Sequence, residues 1–443
     1  MTRRRKTPRR SRPNTHSSAP AGPGKPTWRQ ILGPGLITGA SDDDPSGIAT
    51  YSQAGARYGY QLAWTLLITY PLMSAVQAIS ARIGRTTGRG IAGNLRKHYP
   101  RPLLEFIVVL LFAANTLNIG ADLGAMAAAS RLLVPAVPAW LYIVLFGMIC
   151  VLGQVFIKHR RYVAVLRWVT LSLFAYFAAL LMVHVQWSEL ARGLLWPRLA
   201  LDREFWMLVV AVLGTTISPY LFFWQAGQEV EDTKAIRERQ PLHREPRQGA
   251  NALARIHLDT LIGMGFSNLV ALAILVTAAA TLQKAGGQEI QSAAQAAEAL
   301  RPVAGNFAFA VFALGIIGTG LLAVPVLAGS AAYALGEARG WPVGLARAPL
   351  QAKAFYGAIA VATLLGALSN FLSIDPMIAL VWVAVINGVV ALPVMVVMML
   401  MARNRHIMGA FRISGLLHTL GWIATAVMGL ATLAFILSIT HAL

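Results

Sequence analysis

The chain has 443 residues, of which 56% are hydrophobic and 13% charged, a mean hydropathy of +0.58 and a net charge of +20. Apolar runs of about 20 residues recur along it, the length a helix needs to cross ~30 Å of hydrocarbon, which excludes an ordinary soluble domain and points to an all-α integral membrane protein. A single cysteine, Cys150, excludes an intrachain disulfide and a thiolate metal cluster, and no His-Glu-x-x-His pair, Walker loop or Gly-x-Ser-x-Gly elbow supports an enzyme or an ATP-driven pump.

In chain order, residues 1–29 read as a disordered basic tail: "TRRRKTPRRSR" gives way to Pro, Ser, Thr and Gly up to about Thr27. No apolar run adjoins the basic stretch, so a cleaved signal peptide is not expected. Residues 30–443 read as the transporter-like membrane domain, with eleven spans at roughly 30–57, 61–83, 102–130, 137–157, 162–186, 204–230, 256–283, 305–335, 351–373, 376–402 and 416–440. With a cytoplasmic N-terminus, most of the 38 Lys and Arg fall on the cytoplasmic side, as the positive-inside bias requires, and an odd count puts the C-terminus outside. The net charge is then mainly topology, with some attraction to anionic lipid, and no nucleic-acid partner is expected.

The first span carries "SDDDPSG", Ser41 to Gly47. One Asp at the bilayer centre costs about 2.5–3.5 kcal/mol on insertion scales, and Pro removes a backbone hydrogen bond, so Asp42, Asp43, Asp44 and Pro45 demand a wet or protein-lined cavity. Two half-helices joined by unwound backbone satisfy that demand. In the third span Asn115, Asn118 and Asp122 form one polar stripe; interhelical hydrogen bonds account for the two Asn, whereas Asp122 needs water or a charged partner. The sixth span repeats the interruption with Gly214, Thr215, Thr216, Ser218 and Pro219. Two interrupted spans five apart run oppositely through the membrane, the signature of an inverted repeat, here about 30–186 and 204–402 with an extra helix at 416–440. Carboxylates at the repeat interface predict a cationic substrate.

These motifs resemble the Nramp family (natural resistance-associated macrophage proteins), divalent transition-metal transporters of LeuT-like fold. The resemblance covers most of residues 30–440 and is sharpest at "GPGLITGASDDDPSG" and "TTISPY". Asp44-Pro45-Ser46-Gly47 falls on the family's Asp-Pro-Gly-Asn and Ser218-Pro219-Tyr220 on its Met-Pro-His. The resemblance implies Asp44 as metal ligand, Asp43 as a neighbouring charge, and Thr215 as the source of an unwound carbonyl. Gly47 stands where the family has its ligand Asn, and Ser218 where it has its ligand Met. Loss of the soft thioether removes the filter against hard ions, and smaller residues widen the cavity for a partly hydrated ion such as Mg²⁺. Tyr220 and Gln225 stand where the family has His, and beside Asp122, Ala125 stands where it has Glu. None of the three replacements exchanges a proton near neutral pH. The combination is most similar to the Nramp-related magnesium transporter branch.

Beyond the motifs, Ser218, Gln225 and Glu229 are spaced seven and four apart on one helix face, with Glu229 either a relay carboxylate or a solvated helix-end acid. Asn387 in the tenth span is a further oxygen donor or a helix–helix hydrogen bond. His159, His243 and His406 lie in basic loops and read as solvated, and "QKAGGQEIQSAAQAAEALRPVAG" reads as an amphipathic external helix.

The expected function is transport of Mg²⁺ and Mn²⁺ as substrates, without a cofactor, by a monomer in a bacterial plasma membrane, uncoupled from protons. The alternatives are a proton-coupled Mn²⁺ or Fe²⁺ importer and, from another class, a sodium-coupled amino-acid carrier, which the aspartates disfavour by repelling a carboxylate.

Overall fold

The structure is a computed structural model that describes residues 34–157, 174–200, 202–236, 238–283, 290–301, 305–372 and 374–440. The basic tail expected at 1–29, the start of the fifth span and His159 lie outside these residues.

The first span is two helices, α1 (Pro34–Asp42) and α2 (Pro45–Tyr58), separated by Asp43 and Asp44. The next elements are α3 (Ala63–Thr87), the short α4 (Ile91–His98), α5 (Arg101–Leu133), α6 (Ala139–Phe156), α7 (Phe174–Met182) and α8 (Trp187–Leu195). The sixth span is also two helices, α9 (Arg203–Thr216) and α10 (Pro219–Ala235), separated by Ile217 and Ser218. Then follow α11 (Gly249–Ala278), α12 (Ala293–Glu298), α13 (Ala308–Arg339), α14 (Lys353–Ser369), α15 (Pro376–Arg403), α16 (Arg405–Met408) and α17 (Gly415–Ile439).

Both breaks have one local cause. Pro45 and Pro219 each sit at the first position of the following helix, where a missing N–H costs nothing and the preceding residue is driven to extended backbone. Asp44 has φ −71° and ψ 172°, Ser218 φ −75° and ψ 131°.

Nine helical stretches among the described residues are long and apolar enough to cross a membrane. The first, Pro45–Thr87, joins parts of two expected spans, and nearly half of the fifth expected span lies outside the described residues, so the expected eleven reduce to nine by this measure. The expected external helix is only the six-residue α12 among described residues.

Glycine sets the packing. A Cβ on Gly39 would stand 2.2 Å from the Gly263 carbonyl oxygen, and one on Gly84 would stand 2.3 Å from that of Ala226. Small residues at these points let α1 lie on α11 and α3 on α10 at backbone contact, which replaces the hydrophobic driving force that lipid cannot supply. Gly35 meets Asp259, Gly39 meets Gly263, and Asp42 meets Ser267, so α1 and α11 run parallel. In the same way Ser80 meets Phe222 and Gly84 meets Ala226, so α3 and α10 run parallel. Each broken span thus lies along the second helix of the opposite repeat, as an inverted pair requires.

Candidate metal site

The two breaks lie side by side and antiparallel. Thr38 Oγ1 donates to Gln225 Oε1, Tyr220 OH donates to the Ser41 carbonyl at 3.0 Å, and a Cβ on Gly47 would stand 3.2 Å from Thr215 Oγ1. As residue numbers rise along the first span they fall along the sixth.

Asp44 is the hub. It caps α2: Oδ1 accepts from the Gly47 backbone N–H at 2.8 Å and from Ser46 Oγ at 2.6 Å. Its other oxygen accepts from Asn118 Nδ2 on α5 at 3.2 Å, with Tyr220 OH 3.4 Å away. A carboxylate at a helix N-terminus is favoured by the exposed N–H groups and the helix dipole, so the charge is fixed before any ion arrives. Asp122, one turn beyond Asn118, lies within electrostatic range of Asp44, and both its oxygens are buried without a hydrogen-bond partner among the described residues. An unpartnered buried carboxylate is costly unless a cation or proton joins it.

Asp42 and Asp43 face elsewhere. Ser267 Oγ on α11 lies 2.6 Å from Asp42 Oδ2 and 3.2 Å from Asp43 Oδ1, one hydroxyl serving two carboxylates. Asp42 Oδ1 and Asp43 Oδ2 have no hydrogen-bond partner among the described residues. The α1 end is itself anchored, because the Gly35 N–H donates to Asp259 Oδ2 at 2.7 Å.

The ten residues expected at the site do not form one coordination shell. Among the described residues no group of three or more His, Cys, Asp or Glu side chains is arranged to hold a metal. Asp44, Asp122, Gly47, Thr215 and Tyr220 gather at the breaks, whereas Asp43 turns with Asp42 to Ser267. Ser218 turns its hydroxyl back into α9, 2.7 Å from the Gly214 carbonyl and 2.8 Å from that of Thr215, so the carbonyl expected as a ligand already has a donor. Gln225 and Glu229 sit successive turns down α10. Gln225 bonds to Thr38, and Glu229 Oε2 accepts from Arg255 Nη2 at 2.6 Å in a buried ion pair. Glu229 is therefore neither a solvated acid nor part of the Asp44 group. Asn387 is buried on α15, its Oδ1 unpartnered, and no described hydrogen bond joins it to the carboxylates.

The expected widening at Gly47 is absent, because Thr215 Oγ1 and Tyr51 Cε2 close in on the vacated space, each 3.2 Å from the position of a Cβ. Asp42, Asp44, Asp122, Thr215, Ser218 and Tyr220 are each at most 1% exposed, so the breaks are shut from both aqueous sides.

Two contributors escaped the sequence reading, Ser267 and Tyr51, and a third, Asn118, reads there only as an interhelical hydrogen bond. Asn115 does what a membrane Asn ordinarily does, donating to the Leu327 carbonyl at 3.0 Å across to α13, whereas Asn118, on the same stripe, reaches Asp44. Only its place one turn before Asp122 distinguished it. His243 also departs from expectation: its Nε2 engages the Ile407 carbonyl and is not merely solvated.

The profile of the "Natural resistance-associated macrophage protein-like" family matches residues 35–438. The chain belongs to the Nramp family. Among curated relatives it is similar to the "Divalent metal cation transporter MntH" of Ralstonia nicotianae, 28% identical over 67% of this chain and 67% of the relative. It is also similar to the protein of that name from Verminephrobacter eiseniae, 28% identical over 66% of this chain and 64% of the relative. The matches thus span about two thirds of each relative. Among solved structures, the Nramp chain shares its fold with the Eremococcus coleocola manganese transporter, with a TM-score of 0.73 at 17% identity over 94% of this chain and 87% of that one. A weaker likeness, TM-score 0.54 at 13% identity over 93% of both chains, joins it to the nucleobase-cation-symport-1 family transporter Mhp1.

Proposed function

We propose that this Nramp protein carries divalent metal ions across a bacterial plasma membrane, Mg²⁺ foremost and Mn²⁺ second, by alternating access and without proton coupling. The observation that carries the reading is the set of groups around Asp44. They offer carboxylate, amide, hydroxyl and phenol oxygens, and Asp122 adds two carboxylate oxygens that have no hydrogen-bond partner among the described residues. Oxygen donors favour hard ions, and Mg²⁺ is typically held by one or two carboxylates with several waters retained. The closed breaks leave no room for a hydrated ion, so loading requires the half-helices to part. In alternating access the inverted halves rock about the site, and α1 and α10, joined by Thr38–Gln225 and Ser41–Tyr220, are the pair whose separation would open it.

The names of the relatives and one contact favour a second reading, transport of Mn²⁺, a softer ion than Mg²⁺, with protons. A Cβ on Gly320 would stand 2.4 Å from Met126 Sδ and 3.4 Å from Pro45 Cγ, which puts a thioether beside the first break.

Uptake into proteoliposomes decides between them, with Mg²⁺, Mn²⁺ and Ca²⁺ offered separately to an internal metal dye and a pH dye. Mg²⁺ entry without acidification is expected. Mn²⁺ entry with acidification and no Mg²⁺ signal overturns the first reading in favour of the second.

A further inference from the structure

At the end of the molecule where α3 and α10 terminate, two cavities of about 530 and 460 Å³ adjoin, sharing Gly88, Arg89, Val230 and Lys234. Their construction is local. Gly88 caps α3 in the left-handed region, φ 66°, which turns the chain sharply enough for Pro241 to pack against it. The return loop is stitched to α3 by the Leu242 N–H on the Arg85 carbonyl at 3.2 Å and the His243 N–H on the Thr86 carbonyl at 3.3 Å. Each volume lies within the range of small-molecule sites, roughly 300–1,000 Å³.

The lining is cationic. Arg89, Arg96, Lys97, Lys234 and Arg244 contribute side chains, and no ion pair among the described residues involves any of the five. Arg239 also lines the first cavity but is paired with Asp232. The one carboxylate in the lining, Glu337, has both oxygens engaged, at 2.7 Å by the Gly90 N–H and at 2.9 Å by the Gly93 N–H, so it caps α4; it lies in electrostatic range of Lys234 and Arg89, but one carboxylate does not balance five cations. Positive-inside topology accounts for basic residues on this face. It does not account for five cations outside any ion pair among the described residues lining two adjoining cavities, with Arg89 and Lys234 common to both, where like charges repel and focus the potential.

We propose that this paired cavity binds an anionic phosphate-bearing ligand, with Arg89 and Lys234 at the shared wall contacting its phosphate oxygens. Guanidinium and ammonium groups together are the ordinary means of holding such a ligand. Two sources share this chemistry, a soluble polyphosphate and the headgroup of an anionic lipid.

The test uses the full chain in detergent, titrated calorimetrically with metal-free sodium tripolyphosphate, and the same chain in nanodiscs of phosphatidylcholine with or without phosphatidylglycerol, read by thermal melting. Binding weakened at least tenfold by R89Q/K234Q, and unchanged in R405Q on the same face outside the cavities, is the expected result for a soluble ligand. A melting shift specific to phosphatidylglycerol and lost in R89Q/K234Q assigns the site to lipid. Absence of both effects, or equal loss in R405Q, overturns the proposal.

Discussion

Asn118 Nδ2 lies 3.2 Å from Asp44 Oδ2, so the third span holds the cap of the broken first span in place. The amide orients a charged ligand, and a hydrogen bond to a charged group contributes about 1.5–3 kcal/mol. Asn118→Leu is expected to raise the apparent KM for metal about tenfold or more while leaving the protein folded, measured as uptake against metal concentration. Asp44→Ala is expected to abolish uptake and Asp42→Ala to leave most of it. The reverse ranking would assign the ligand to Asp42.

Ser267→Ala removes the one hydroxyl shared by Asp42 and Asp43. Leaving a buried acceptor unsatisfied costs about 1–3 kcal/mol, more when it is charged. The variant is expected to melt several degrees lower in detergent than the parent, and Ser267→Thr, which keeps the hydroxyl, to lose less.

Arg255→Gln strands Glu229, which is 0% exposed and otherwise unpaired at Oε1. Removing one partner of a buried ion pair costs about 3–5 kcal/mol, whereas replacing both can be nearly neutral. The expected order of melting temperature is parent, then Arg255→Gln/Glu229→Gln, then Arg255→Gln alone. Equal melting of the single and double variants would show that Glu229 takes up a proton once Arg255 is gone.

Gly39→Ala and Gly357→Ala should differ sharply. The first drives a methyl to 2.2 Å from the Gly263 carbonyl oxygen and separates α1 from α11, whereas the second meets nothing within 4 Å. Loss of monodisperse protein is expected for the first. For the second the gain in helix propensity, up to about 1 kcal/mol, should leave melting unchanged or slightly raised.

Ser218→Met restores the thioether of the family motif at the second break. It is expected to move the ratio of Mn²⁺ to Mg²⁺ uptake at least tenfold toward Mn²⁺, since sulfur prefers the softer ion. Gly47→Asn is expected to reduce uptake of both, because Thr215 and Tyr51 already crowd its Cβ position. Met126→Leu separates the two functional readings: loss of Mn²⁺ uptake with Mg²⁺ intact would identify the thioether as a ligand.

The sequence by itself determined the membrane class and both breaks, and the family resemblance singled out Asp44. These are local matters: runs of apolar residues set helix length, and Pro after an extended residue sets a break regardless of what packs around it. Opposed breaks also followed from counting spans, since an odd separation reverses direction.

Only the tertiary structure decided which groups meet. Asn115 and Asn118 share one helical stripe, yet one bonds to a backbone carbonyl on α13 and the other to Asp44, because their partners come from helices more than seventy residues away. The same holds for Ser267 beneath Asp42 and Asp43, and for Arg255 on Glu229, which turned a suspected relay acid into half of an ion pair. The space at Gly47 is filled by Thr215 and Tyr51, a matter of how closely two helices approach. Spacing along one chain gives the face on which a side chain stands, but the charge, hydrogen bond or void it meets belongs to the helix opposite.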